Sequence, residues 1–87
     1  MAKLTARAAR IVAASEAAYG TRWQSSLARA AGVPQSLLAM IAGGGRTVTD
    51  EVYSKVAHGL LRESDRLRKA ADKIDEIAGC MLAELDK

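Results

Sequence analysis

Apolar positions recur at intervals of three and four along most of this chain, the spacing of one face of a helix. Over residues 5–19 a first helix is expected, free of Gly and Pro, with Leu4, Ala8, Ile11, Val12, Ala18 and Tyr19 on one broad face. Ser15 lies within that face, small enough to be tolerated and able to bond a carbonyl one turn back. Gly20 stops this helix as a C-terminal cap, and Thr21 can cap the next at its N-terminus. The second helix is expected over about 22–31, until Gly32 breaks it. Val33 and Pro34 then connect to a third helix over about 35–42, because the fixed φ of Pro34 costs nothing in a first turn. Gly43, Gly44 and Gly45 end that helix. Thr47 to Thr49 is a short extended link, and Thr49 followed by Asp50 and Glu51 opens a fourth helix with a side-chain cap and acids in its first turn. This helix runs to about residue 58. There Gly59 either breaks it or is carried through at a cost of about 1 kcal/mol. From about 60 to 85 a long helical segment follows, with Gly79 as its weak point. The expected fold class is all-α, a small domain of four to five helices with a long C-terminal helix.

Composition strengthens that expectation. Of 87 residues, 18 are Ala and only Tyr19, Trp23 and Tyr53 are aromatic, so the chain is biased towards helix and against a parallel-sheet enzyme. So short a chain makes one small domain, marginal alone and favoured by a partner. One Cys, Cys80, cannot close an intramolecular disulfide, and one His, His58, cannot build a zinc site with it. No nucleophile–base pair has usable spacing, and no glycine-rich phosphate loop follows a strand. The expectation is therefore not an enzyme, with no cofactor and no metal. No apolar run approaches the roughly 18 residues of a membrane span. The basic, Ala-rich N-terminus lacks a signal-peptide core. Although it is similar in composition to a transit peptide, it leads straight into the periodic helix. A reduced, cytoplasmic setting follows.

Charge is unevenly divided. Residues 1–46 carry Lys3 and five arginines, Arg7, Arg10, Arg22, Arg29 and Arg46, against Glu16 alone, a net of +5. Residues 47–87 carry seven bases and nine acids, a net of −2, giving +3 for the whole chain. The first half is a cation rich in the side chain best suited to phosphate, and the second is a mixed, solvated helix.

Residues 24–43 read QSSLARAAGVPQSLLAMIAG. Two short helices crossing at a sharp angle need a small residue at the approach, met by Ala28, and a residue able to take positive φ at the turn, met by Gly32. They also need an apolar wedge, and Leu27, Ala31, Val33, Leu38 and Ile41 can all fall inward. The opposite face of the third helix then shows Gln35, Ser36, Ala39 and, towards one edge, Met40.

This pattern resembles the helix-turn-helix of the phage lambda repressor and Cro family, small helical DNA-binding domains. The resemblance rests on Gln24, the Leu27–Ala28 pair, Gly32–Val33, Gln35–Ser36, Leu38 and Ile41, and the surrounding order of helices extends it to roughly residues 5–60. It implies that the third helix enters the major groove of double-stranded DNA. By the same resemblance Gln35 reads a base edge, since an amide can both donate to and accept from adenine. Ser36 is a second base contact, and Ala39 or Met40 packs on a thymine methyl, Met40 having a place in the core as its other reading. Gln24 resembles the family's glutamine that contacts a phosphate and buttresses the reading glutamine. Arg22, Arg46 and Thr47 flank the unit as further phosphate contacts. Arg29 reads equally as phosphate contact or plain surface, and Trp23 as a core anchor. The third helix departs from many relatives in carrying no Arg or Lys.

In the last segment Leu60, Leu67, Ala71, Ile74, Ala78, Met81 and Leu85 form a stripe, at alternating spacings of four and three from residue 67 onward, widened by Ala70, Ile77 and Leu82. Ser64 weakens its early end, so the regular stretch falls short of the three to four heptads of a coiled coil. The stripe either packs back on the first helix or pairs two copies across a two-fold axis, and both can hold at once. Cys80 falls off it, as an exposed thiol or a filler at the helix edge, and His58 is expected on the surface. The division expected is 1–60 for DNA binding and 61–87 for dimerisation. The expected function is a homodimeric, sequence-specific repressor of a palindromic operator, acting in the bacterial nucleoid. The alternative is a protein-interaction module, antiactivator- or antitoxin-like, that kept the helical fold and binds a protein partner.

Overall fold

A computed structural model describes residues 4–86. They form four helices and no strand: α1 (Ala6–Tyr19), α2 (Trp23–Ala31), α3 (Gln35–Ala42) and α4 (Asp50–Leu85). The opening residues 1–3, Lys3 among them, lie outside the described part.

Local chemistry explains most of the boundaries. Thr5 caps α1, its hydroxyl accepting from the Ala8 N–H, and Thr49 does the same for Val52 at the start of α4. Gly20 and Gly32 close α1 and α2 with φ of 80° and 70°, angles that any other residue would pay for, and each donates its N–H back into the helix it ends. Thr21 does not cap α2. The helix starts one residue later than its position would require, at Trp23, and Arg22 takes the capping position without a side-chain bond. Gly59 does not break α4, which is continuous over 36 residues, so there are four helices.

The core is built from the inward faces expected. Leu27, Ala31, Val33, Leu38 and Ile41 are all buried, joined by Ala8, Ile11, Trp23, Val48 and Val56. Helix α2 is central, touching α1, α3 and α4. Its C-terminal end meets α4 at Gly59, where a Cβ would lie 3.1 Å from backbone atoms of Ala30 and Ala31. Helix α4 continues through Gly59 because the missing side chain lets two backbones touch. Arg62, one turn on, donates to the Ala30 carbonyl, satisfying an orphan acceptor at the negative end of α2. The next residue, Glu63, is buried and held by both guanidinium arms of Arg66, the Nε bond being 2.7 Å long. Ser15 is fully buried, yet its hydroxyl finds no partner among the described residues, so the expected bond to a carbonyl one turn back is not made.

Only the first half of α4 belongs to this body. From Ala71 to Asp86 every residue is exposed, and the molecule is correspondingly long, 59 × 25 × 19 Å. The apolar stripe thus does not fold back on α1 beyond Leu67; its remainder projects from the domain.

Candidate functional site

The expected contact residues separate into three places. The first is an open cleft of about 370 Å³ where α2 and α3 begin, lined by Thr21, Arg22, Gln24, Ser25 and Gln35. Gly32 and Pro34 create it. The left-handed residue turns the chain out of α2, extended Pro34 sets the start of α3, and Gln35 becomes the first residue of that helix. Gln24 sits in the first turn of α2, so two glutamines 11 positions apart share one hollow. Gln35 is exposed and Gln24 half-buried. Neither helix start is capped by a side chain; in α3 the Leu37 N–H turns back to the Pro34 carbonyl at 3.1 Å, and the N–H groups of Gln35 and Ser36, with those of the first turn of α2, remain for an external acceptor. Such an opening suits an anion, with Arg22 beside it. Thr21 and Ser25 join this cleft although neither was expected there; the signal available was their adjacency in sequence to Arg22 and Gln24.

The second place is the outer face of α3. Ser36, Ala39 and Met40 are all exposed, Met40 at 43% of its surface, while Leu38 and Ile41 are buried behind them. Met40 is therefore not a core residue. The third is the loop after α3, where Arg46 and Thr47 are exposed and do not line the cleft. Gly44 turns this loop at φ 80°.

Among the remaining arginines of the basic half, Arg10 and Arg29 are exposed, but Arg7 is committed to the fold. Its guanidinium reaches Asp50 at 2.7 Å, donates to the Val48 carbonyl at 3.3 Å and lies 4.7 Å from the centre of the Tyr53 ring. It ties the start of α4 to α1 and has little left for a ligand. Trp23 is buried, as a core anchor would be, and His58 and Cys80 are exposed.

The stripe on α4 presents Leu67, Ala71, Ile74, Ala78, Met81 and Leu85 to solvent. Ile74, Met81, Leu82 and Leu85 are thus large apolar side chains left open to solvent along one helix. Among the described residues no group of His, Cys, Asp and Glu could hold a metal ion, and no helix is long and apolar enough to cross a membrane. Comparison of the chain with protein families, with curated proteins and with solved structures finds no match to any of them.

Proposed function

We propose that this protein is a homodimeric, sequence-specific DNA-binding regulator, a repressor of a palindromic operator, with α2 and α3 acting as a helix-turn-helix. The observation that carries the reading is the shared cleft of Gln24, Gln35 and Arg22 at two uncapped helix starts. In this reading α3 lies in the major groove, and Gln35 and Ser36 address base edges while Ala39 and Met40 meet thymine methyls. Gln24 and Arg22 hold a phosphate at the cleft, with Arg46 and Thr47 on the neighbouring backbone. No catalyst or cofactor enters, and the nucleoid is where such a protein works.

Binding of the full chain to the DNA upstream of its own gene, measured at two salt concentrations, tests this. A steep fall in affinity with salt and a two-fold footprint are expected. Equal binding to every duplex, or none, overturns it. A second reading, a protein-interaction module, draws on one observation: the exposed face of α3 carries no cation and displays Met40. A stable complex with a protein, without any shift of DNA, distinguishes the two.

A further inference from the structure

An apolar groove of about 550 Å³ lies between α1 and α4, away from the glutamine cleft. Ala14, Ala17 and Ala18 form one wall; Leu60, Leu61 and Leu67 stand on the other. Ala57 and Ser64 share this face of α4, so the stripe begins a full turn before Leu60 and runs from Ala57 to Leu85. That is four heptads, longer than the sequence alone indicated.

The seam is uneven in size. One of its two rows holds Ala57, Ser64, Ala71 and Ala78 and ends on Leu85; the other holds Leu60, Leu67, Ile74 and Met81. Two parallel copies of α4 would set small residues against small and large against large, leaving gaps at alternate layers. Two antiparallel copies set Ser64, Ala71 and Ala78 each against a large residue, as close packing requires.

Two antiparallel registers achieve this, and the flanking residues choose between them. When Ala71 faces the partner's Ile74, Leu61 lies beside the partner's Leu82 and Arg68 beside the partner's Asp75. Glu84 nears the partner's Glu63, whose charge Arg66 already offsets. When Ala71 instead faces the partner's Leu67, Arg68 meets the partner's Arg68 and Leu61 meets the partner's Asp75. The first register pairs opposite charges at Arg68 and Asp75 and apolar groups at Leu61 and Leu82, which outweighs the offset Glu84–Glu63 approach, and it sets Leu85 over the partner's Leu60, at the groove.

We propose that the α1–α4 groove receives the end of α4, around Leu82 and Leu85, from a second copy of this chain, in an antiparallel helix pair in which each copy fills the other's groove. The overlap of residues 60–85 spans about 39 Å at the helical rise. The groove and the free stripe are otherwise two exposed apolar surfaces, Leu61 and Leu82 being 67% and 65% exposed. This rests on the homodimeric part of the reading above and adds orientation, register and the contribution of α1.

Cysteine crosslinking tests it. Ser64→Cys, Ile74→Cys and Met81→Cys are made singly in the full chain with Cys80→Ser, and mixed in pairs under mild oxidation. Ser64→Cys is expected to crosslink with Met81→Cys several-fold more than either does with itself. Excess self-crosslinking, or a preference of Ser64→Cys for Ile74→Cys, overturns the proposal while a homodimer still stands. A monomeric wild-type chain in sedimentation overturns both. Ala17→Arg, an exposed change in the α1 wall, is expected to weaken the dimer about ten-fold with unchanged helicity, roughly the effect of 1.4 kcal/mol. Ala14→Arg serves if that variant misfolds. Undiminished dimerisation of a folded variant overturns the seating in the groove.

Discussion

Gly59 and Ala31 touch backbone to backbone: a methyl on Gly59 would come 3.1 Å from the nitrogen and the Cα of Ala31. These atoms belong to α2 and cannot swing aside as a side chain would. Two effects of Gly59→Ala then oppose each other. Helix propensity favours Ala by about 1 kcal/mol, whereas overpacking costs about 1–3 kcal/mol. The contact wins, and a net loss of about 1 kcal/mol is expected. Gly79 has open space around it, so Gly79→Ala should gain about 1 kcal/mol. Urea denaturation of the two variants should show opposite signs; stabilisation by both would mean the crossing yields.

Arg7 should be worth more through Tyr53 and Val48 than through Asp50. The carboxylate is almost wholly exposed, and such pairs contribute about 0–1 kcal/mol. A cation over an aromatic ring adds about 0.5–1 kcal/mol and is less sensitive to salt. Arg7→Ala is expected to destabilise by about 1 kcal/mol, and most of that loss should persist in about 1 M salt. A loss that vanishes in salt would assign the effect to the ion pair instead.

Glu63 gives the fold an acid dependence. Its two hydrogen bonds from Arg66 hold the carboxyl below the ordinary glutamate value, against burial, which pushes it up. A lowered folded value means that the stabilisation is complete above about pH 4.3 and is lost as pH falls through the lower folded value. The stability difference between wild type and Glu63→Gln should therefore shrink on acidification through that window. A constant difference in melting temperature would remove Glu63 as the cause. On the alkaline side, burial and Glu63 raise the Tyr19 hydroxyl, while Arg66 and Arg62 lower it less. The neutral phenol is favoured in the fold, so its contribution is present below about pH 10 and lost as pH rises through the folded value.

If α3 reads DNA as proposed, Gln35→Ala should relax preference at one position of each half-site, by about 1–3 kcal/mol. Fold stability should hardly change, because Gln35 is exposed. An unchanged ratio of operator to random-DNA affinity would remove the glutamine from base readout.

Ile74 is 65% exposed in the single chain, so Ile74→Glu should leave the monomer's fold intact. On the proposed function it abolishes self-association and with it most of the operator affinity, because each copy would read one half-site. Retention of a dimer in sedimentation would exclude Ile74 from the seam.

How much of this was legible depended on how local its cause was. The bounds of α3, the cap at Thr49 and the turn at Gly32 were visible because each is set by a few adjacent residues. The inward set of Leu27, Ala31, Val33, Leu38 and Ile41 followed from spacing alone. What was hidden needs tertiary approach. Gly59 is carried through because α2 crosses there, and Glu63 is buried among neighbours that spacing does not reveal. Arg7 counted as free charge until Asp50, more than 40 positions away, came beside it. Thr21 satisfied the capping preference by type, but the helix began a residue too late to use it. In the candidate site, the meeting of Gln24 with Gln35 was implied by the family pattern, whereas Thr21 and Ser25 joined only through the shape of the cleft.

The unbroken passage of α4 through Gly59 has a mechanical corollary. From there to Leu85 the helix is a lever of 26 residue steps, about 39 Å at the ordinary rise. A tilt of about 5° at its fulcrum on α2 sweeps the tip through about 3 Å, roughly two residues of rise. If α2 and α3 hold DNA as proposed, small adjustments there are amplified at the tip, with one unbroken helix in between.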